Sequence, residues 1–373
     1  MKLAFCLFKY FPFGGLQRDF LKIAKACEAR GHEIHVITMS MEDKLPNTFN
    51  IHLLACKGFQ NHQHCEGFAK QLKLLLEKSN YDIVIGFNKM PYLDLYYAAD
   101  VCYQARTKKM RHIFYRLLPR YQTLVSLEKS IFEPGAKTKI LYLAENQRQE
   151  YVDYYQTEQE RFHLLSPGIE KKHITKSCAE EIRLQMRSLY NIHHDEFLLL
   201  MIGSGFKTKG LDRALISIAS LPIQLRERCH FFIIGQDRAK QFIKLSHYLQ
   251  INNQIKFLGG RHDVSNFLIA ADLLLHPAYH ETAGIVLLEA LSCGLPILTV
   301  DICGYANHIS QADAGIVLNS PFCQKTCNQQ LLNMLTSSYR DTWRKNALAY
   351  AKETDLYNLA HHAVNFIEQL GKK

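Results

Sequence analysis

Short, uninterrupted apolar runs alternate along the chain with longer stretches in which apolar residues recur every three or four positions. The first run, 3–8, is broken by Pro12, Gly14 and Gly15. Residues 16–30 then place Phe20, Ile23, Ala24 and Cys27 at helical spacing, and Gly31 supplies the C-terminal stop. Residues 33–38 and 82–87 read as further buried strands, and 98–103 as another. Strands that alternate with helices in this way predict a parallel, doubly wound sheet.

The pattern restarts near the middle of the chain. Ser166-Pro167-Gly168 carries turn chemistry. A helix over 179–190 is followed by apolar strands at 197–202, 231–234, 255–258, 273–276 and 297–300. Residues 342–370 read as helical, with Ala347, Tyr350 and Ala351 on one face. The fold class expected is therefore α/β: two Rossmann-like, doubly wound domains facing across a cleft. The expected division is 1–166, then 167–350, then a closing helix at 351–373 that packs back on the first domain. A length of 373 residues suits two domains. Ligands of such sheets bind beyond the carboxyl ends of the strands, so chemistry is sought there.

An apolar fraction of 47% and a charged fraction of 21% exclude wholesale disorder. Eleven cysteines, an odd number at scattered positions, point to a reducing compartment and to thiols used as small core residues. Residues 1–7 are apolar but too short for a secretory signal, and Lys9 interrupts them. No window approaches a membrane span. A soluble or peripheral cytoplasmic protein is expected. The net charge of +10 calls for an anionic partner.

The strongest chemical signal is the run HPAYHETAGIVLLEALSCGLP, from His276 to Pro296. A strand ends at His276, a loop carries Glu281, and a helix begins near Gly284. Glu281 and Glu289 stand eight residues apart, or roughly 12 Å along a helix axis. That is too far for one acid/base dyad, since paired glycosidase carboxyls sit about 5 Å apart. The spacing suits two hydroxyl-rich groups joined by a linker. Between them lies a helix N-terminus, which favours an anion such as a diphosphate, and Gly284 lets backbone approach it. The alternative is a solvated loop glutamate and a helix glutamate in a salt bridge.

Glu-x7-Glu after a strand, a proline and a loop, followed by Ala290 and Gly294-Leu295-Pro296, resembles the retaining glycosyltransferases of the two-Rossmann (GT-B) type. Gly14-Gly15 is similar to their N-terminal glycine loop, Pro167-Gly168-Ile169 to the hinge that enters their second domain, and Lys209-Gly210 to their phosphate-binding pair. The runs FCLFKYFPFGGLQRDF and LLLHPAYHETAGIVLLEA, with GFNKMP and AADVCY, resemble the members that glucosylate the bacterial lipopolysaccharide core. The resemblance covers essentially the whole chain.

It implies a donor, UDP-glucose, acting as co-substrate with no cofactor and no metal. It also implies an acceptor heptose of the lipopolysaccharide inner core, at the cytoplasmic face of the inner membrane. Glu281 would hold donor-sugar hydroxyls. Ala283, Gly284 and Ile285 would offer backbone to sugar or phosphate, Glu289 would bind the ribose, and Lys209 would neutralise the diphosphate. Gly14 and Gly15 would approach donor sugar or phosphate. Asp100 would lie nearest the reaction centre, with Asp19 a further sugar contact, and Arg261 would meet the base. An arginine usually stands five residues before the motif lysine; here that position is Ser204, and Lys207 is the available substitute. Catalytic roles fall on Asp100, Glu281 and Lys209. His62-x-His64-Cys65 is the one cluster with metal-ligand character, in a stretch read as polar surface, and no metal site is assigned to it. A nucleotide-sugar epimerase on the same fold, or a non-catalytic membrane-binding relative, remain as alternatives.

Residues 103–132 hold seven cations, Arg106, Lys108, Lys109, Arg111, Arg116, Arg120 and Lys129, against one acid, Glu128. Seven minus one leaves +6 of the +10 in this segment. Tyr103, Phe114, Tyr115, Tyr121 and Phe132 are interleaved with them. Cations mixed with aromatics suit an anionic membrane surface, with Lys108, Lys109, Arg111, Arg116 and Arg120 as its contacts. No groove-entering motif or stacking platform for nucleic acid is present.

Overall fold

Seven parallel strands build the first sheet: β1 (Lys2–Cys6), β2 (Glu33–Thr38), β3 (Asn50–Leu53), β4 (Ile83–Gly86), β5 (Leu95–Ala98), β6 (Lys139–Tyr142) and β7 (Phe162–Leu164). Their order is β3-β2-β1-β4-β5-β6-β7. In the register, Leu3 faces Ile34 on one side and Ile83 on the other. Strand β1 is apolar from Leu3 onward because both its faces are covered, and Leu3 to Leu7 are fully buried. Helix α1 (Gly15–Ala29) turns Phe20, Ile23, Ala24 and Cys27 into this core. The computed structural model describes residues 1–11, 14–110, 113–171 and 176–372.

A second sheet repeats the plan with β8 (Phe197–Ile202), β9 (Cys229–Ile234), β10 (Ile255–Gly259), β11 (Leu273–His276), β12 (Ile297–Val300) and β13 (Gly315–Leu318). Its order is β10-β9-β8-β11-β12-β13. Both sheets change direction of winding beside their first strand, as in Rossmann folds. The chain thus consists of two Rossmann-like α/β units. One is Met1–Gly168 with Asn358–Lys373; the other is Ile169–Tyr357.

The domain limits differ from those expected. Pro167 and Gly168 belong to the first unit, where the Pro167 carbonyl accepts from Leu359 N at 3.1 Å and the Gly168 carbonyl from Lys22 Nζ at 2.9 Å. The helical stretch expected over 342–370 is two helices, Arg340–Glu353 and Leu359–Leu370. Residues 351–357 remain in the second unit, because Ala351 and Leu356 are buried there and Ile169 N donates to the Leu356 carbonyl at 3.0 Å. Only the last helix returns to the first unit. It packs on α1, and Arg30 and His32 both bond Glu368.

The strand expected at 98–103 is also displaced. β5 ends at Ala98, and the Asp100 carbonyl is taken by Gln147 Nε2 (2.9 Å) and the Tyr151 hydroxyl (3.0 Å) rather than by a neighbouring strand. Tyr103 then opens a helix. His62 and Cys65 are not surface residues: both lie on the buried face of helix α2 (Asn61–Glu77). Seven cysteines are buried, whereas Cys178 and Cys323 are exposed. No helix of the described residues is long and apolar enough to cross a membrane.

Candidate active site

In the second unit, the site begins with two loops that lock together. After β8, Gly203 to Gly210 forms a tight turn in which Lys209 N donates to the Gly205 carbonyl at 3.0 Å and Gly210 N to the Lys207 carbonyl at 3.1 Å. After β11, Tyr279 N donates to the Thr208 carbonyl at 2.8 Å. Gly210 has φ +79, and a Cβ there would sit 2.0 Å from the Pro277 carbonyl oxygen. Only glycine permits this approach. The contact brings Lys209 to Glu281.

Lys209 Nζ and Glu281 Oε2 form an ion pair, and His276 Nε2 reaches the same carboxylate oxygen at 3.2 Å. The His276 side chain is wholly buried, and the Glu281 side chain nearly so at 12% exposure. Burial alone would raise the Glu281 carboxyl; His276 and Lys209 overcome it and hold the group down at about 2. Burial likewise disfavours a charged His276, but Cys303 and Glu281 outweigh it and lift the imidazole to about 9. At neutral pH the site therefore holds one carboxylate between two cations.

Glu281 also packs against the start of a helix. Gly284, at φ +82, is the N-cap of Ile285–Ser292, and a Cβ on it would lie 3.1 Å from Glu281 Cγ. The Ala283 carbonyl is occupied by Tyr305 N at 2.8 Å. Buried Val286, Leu287, Leu288, Ala290 and Leu291 fix the helix to the sheet, with Glu289 on its half-exposed side. Ala283, Gly284, Ile285 and Glu289 thus follow Glu281 around one helix N-terminus.

Lys207 does not join this group. It pairs with Asp212 Oδ2 at 2.5 Å and lies over the Tyr279 ring. The Asp212 bond raises its pKa. The cation expected to replace the absent arginine is thus engaged elsewhere, while Ser204 Oγ accepts from Gln236 N at 3.3 Å. Arg261 is committed too, with both forks of its guanidinium on Asp263 at 2.8 and 2.7 Å.

The first unit holds the remaining candidates. Gly14 caps α1, and a Cβ there would meet Gln17 Oε1 at 1.8 Å; Gly15 has open space around it. Of the two glycines only Gly14 is crowded, and by side chains rather than backbone. Asp19, on α1, accepts from the Tyr97 hydroxyl at 2.7 Å. Asp100 lines a cavity beyond the carboxyl ends of β1, β4 and β5 with Phe8, Asn88, Lys89, Val101, Tyr103 and Arg106. Asp100 itself is exposed, with Lys89 and Arg106 the nearby charges that favour its ionised form.

In the basic segment, helices Tyr103–Met110 and Pro119–Phe132 flank a single-turn helix, Ile113–Leu117. Its one acid is internal. Glu128 is fully buried, pairs with Lys89, and accepts from Tyr103 N (2.6 Å), Gln104 N (3.0 Å) and the Tyr155 hydroxyl (2.6 Å). Lys108, Arg116 and Arg120 are exposed, as are Phe114, Leu117 and Leu118. Arg111 and the Lys109 side chain lie outside the described residues. Not every aromatic faces out: Tyr103, Tyr115 and Tyr121 cluster together, and Phe132 stacks on Tyr151 with centroids 3.6 Å apart.

Sequence reasoning passed over His276, Lys89 and the Glu128 anchor. His276 ends an apolar strand and Lys89 follows another by three residues, and a polar residue at a strand's carboxyl end was the available signal for these two; Glu128, within a helix, offered none.

Two Rossmann-like units, with a lysine–glutamate pair at a helix N-terminus, are the framework of a glycosyltransferase. Residues 183–350 match the model of glycosyl transferases group 1, and residues 13–173 that of glycosyltransferase family 4. The chain belongs to this glycosyltransferase family. It is 43% identical to the lipopolysaccharide glucosyltransferase WaaG of Escherichia coli (strain K12), covering 98% of both chains. The crystal structure of WaaG, a glycosyltransferase involved in lipopolysaccharide biosynthesis, superposes with a TM-score of 0.93 over 98% of this chain and 99% of that one. The Anabaena protein HepE, solved in complex with UDP-glucose, shares the fold at 15% identity, with a TM-score of 0.73 over 99% of this chain and all of the other.

Proposed function

We propose that this glycosyltransferase moves glucose from UDP-glucose to a heptose of the lipopolysaccharide inner core, with retention of configuration, at the cytoplasmic face of the inner membrane. The observation that carries the reading is the Lys209–Glu281 pair seated at the N-terminus of Ile285–Ser292, in a chain 43% identical to a lipopolysaccharide glucosyltransferase. Lys209 and the helix dipole face the diphosphate, and Glu281 accepts from hydroxyls of the glucose. Glu289 takes the ribose hydroxyls.

The acceptor oxygen forms its bond to the anomeric carbon on the face from which the diphosphate departs. The bond from that carbon to the diphosphate oxygen breaks, and the departing diphosphate takes the acceptor proton. Positive charge at Lys209 stabilises the negative charge that grows on the leaving group. Orientation of the two substrates supplies much of the rest. With lysine and helix dipole as the positive field, the reaction runs without a metal. The exposed cations and apolar side chains of 103–132 hold the enzyme at an anionic membrane, where a lipid-anchored acceptor resides.

The test offers the protein labelled UDP-glucose, UDP-galactose and UDP-N-acetylglucosamine in turn, with lipopolysaccharide truncated at the heptose region as acceptor. One arm contains a chelator. Label should enter the lipid from UDP-glucose alone, with or without chelator, and should be lost in Glu281→Ala. Label from another donor overturns the sugar, loss with chelator overturns the metal-free reaction, and absence of transfer overturns the acceptor.

A further inference from the structure

The cavity of the first unit has a volume of about 180 Å³. It is smaller than the ~300 Å³ at which drug-sized sites begin. That is room for one monosaccharide ring. Its lining is mixed in the way a sugar ring requires. Phe8, Val101, Leu124 and Leu127 offer apolar surface, and Tyr103 an aromatic face; Asn88, Lys89, Asp100 and Arg106 offer polar groups.

The polar groups differ in what already engages them. Asn88 uses its carbonyl oxygen to accept from Phe8 N at 2.8 Å, which leaves an amide NH2 to donate. Lys89 donates to the Val101 carbonyl at 2.7 Å and to Glu128; an ammonium has a third N–H. Arg106 forms no ion pair among the described residues, although its charge reaches Asp100 and favours the ionised form of that carboxyl. The single acid of the segment, Glu128, is turned inward and shared among Lys89, Tyr155 and the start of helix Tyr103–Met110. Arg106 is thus a planar fork of donors that bonds no carboxylate among the described residues, with Asp100 its nearest acidic neighbour across the ring-sized cavity. Guanidinium pairs best, in bidentate fashion, with a carboxylate or a phosphate.

Building on the glucosyltransferase reading above, we propose that this cavity is the acceptor pocket and that it takes one acidic monosaccharide unit of the acceptor. Arg106 holds the acid group. Lys89 and Asn88 donate to ring hydroxyls and Asp100 accepts from one. Helices Tyr103–Met110 and Pro119–Phe132 supply part of the pocket wall through Tyr103, Arg106, Leu124 and Leu127, and the same helices with the single-turn helix between them carry the exposed Lys108, Arg120, Phe114 and Arg116. A saccharide attached to a membrane lipid therefore meets the pocket from the segment that meets the membrane. The acid is a carboxylate or a phosphate on the saccharide.

The experiment uses the full chain, UDP-glucose, and the water-soluble core oligosaccharide released from lipopolysaccharide truncated at the heptose region. Removing the lipid removes any contribution of membrane affinity. Arg106→Gln is compared with the unaltered protein on three forms of the oligosaccharide: untreated, phosphatase-treated and carboxyl-reduced. Arg106 is exposed, and thermal unfolding verifies that the variant is folded. On untreated acceptor, Arg106→Gln should raise the acceptor KM about tenfold, equivalent to ~1.4 kcal/mol, with the KM for UDP-glucose unmoved. One treated form should show the same rise with the unaltered protein and no further rise with the variant. The form that does so identifies the acid as phosphate or carboxylate. Equal acceptor KM for both proteins, or a rise of the same size on all three forms, overturns the pocket assignment while leaving the transferase reading intact. If the unaltered protein transfers nothing from UDP-glucose, both fall together.

Discussion

The Tyr97 hydroxyl donates to Asp19 Oδ2 at 2.7 Å, tying the end of β5 to the first turns of α1. Burial raises the Asp19 carboxyl, and the Tyr97 bond with the charges of Arg18 and Lys22 opposes it. Because the net shift is upward from 3.8, the folded protein binds this proton more tightly than the unfolded chain. Stability at this site is therefore highest in acid and declines as pH rises through the raised value. Tyr97→Phe should cost about 1–2 kcal/mol and steepen that decline; Asp19→Asn should flatten it. Urea unfolding at several pH values between 4 and 7 reads both.

In the His276–Glu281–Lys209 group Glu281 runs opposite to Asp19, whereas His276 runs with it. Glu281 is depressed to about 2, so its contribution is present above its ordinary value and lost as pH falls through 2. His276 is raised to about 9, so its contribution is present below its ordinary value and lost as pH climbs through 9. His276→Gln should lower stability at pH 6 and abolish the alkaline decline. Glu281→Gln leaves Lys209 without its carboxylate and removes part of what holds His276 charged, and should cost roughly 3 kcal/mol. It should also reduce transfer by about a hundredfold or more. Denaturation curves at pH 6 and pH 10, with turnover, check these values.

Two glycines with nearly the same φ should respond very differently to alanine. Gly31 (φ +82) has open space around its Cβ position, so Gly31→Ala should cost only the conformational penalty of about 1–2 kcal/mol. Gly210 (φ +79) has the Pro277 carbonyl oxygen 2.0 Å from that position. Gly210→Ala must part the two loops, and should cost more than about 3 kcal/mol and separate Lys209 from Glu281. Melting temperatures of the two variants, measured side by side, test the contrast.

Neutralising Lys108, Arg116 and Arg120 together should weaken binding to vesicles containing anionic phospholipid. At about 1 kcal/mol for each cation near such a surface, the loss is about a hundredfold. Sedimentation with vesicles of phosphatidylglycerol and phosphatidylethanolamine reads it, and binding to vesicles of neutral lipid should not change.

The strands at 33–38, 197–202, 273–276 and 297–300 were legible residue for residue, because continuous apolar runs between turn residues have one stable home, the interior of a parallel sheet. The strand at 95–98 was misplaced toward 98–103. Its LYYA is little more apolar than the AADVCY that overlaps it, and only the tertiary bonds of Gln147 and Tyr151 to the Asp100 carbonyl end it. The carboxylates Glu281 and Glu289 could be read from their spacing around a helix start. The Lys207–Asp212 pair was not legible, because Asp212 lies five residues further on, in the next helix, and a loop charge announces no partner. Glu128 stood out only as the one acid of a basic segment; nothing in the sequence states that Lys89, Tyr155 and two backbone amides converge on it.

The chain leaves the first unit after Gly168 and returns to it at Asn358. Its last helix buries Leu359, Ala363, Val364 and Ile367 and bonds Arg30 and His32 through Glu368. During synthesis the segment that begins first is therefore the one completed last. Sheet β1 to β7 leaves the ribosome with the flank of α1 bare, and it waits through nearly two hundred residues of the second unit for its closing piece. A chain cut after residue 357 would hold all of the second unit and an unsealed first one, open along α1 to chaperones.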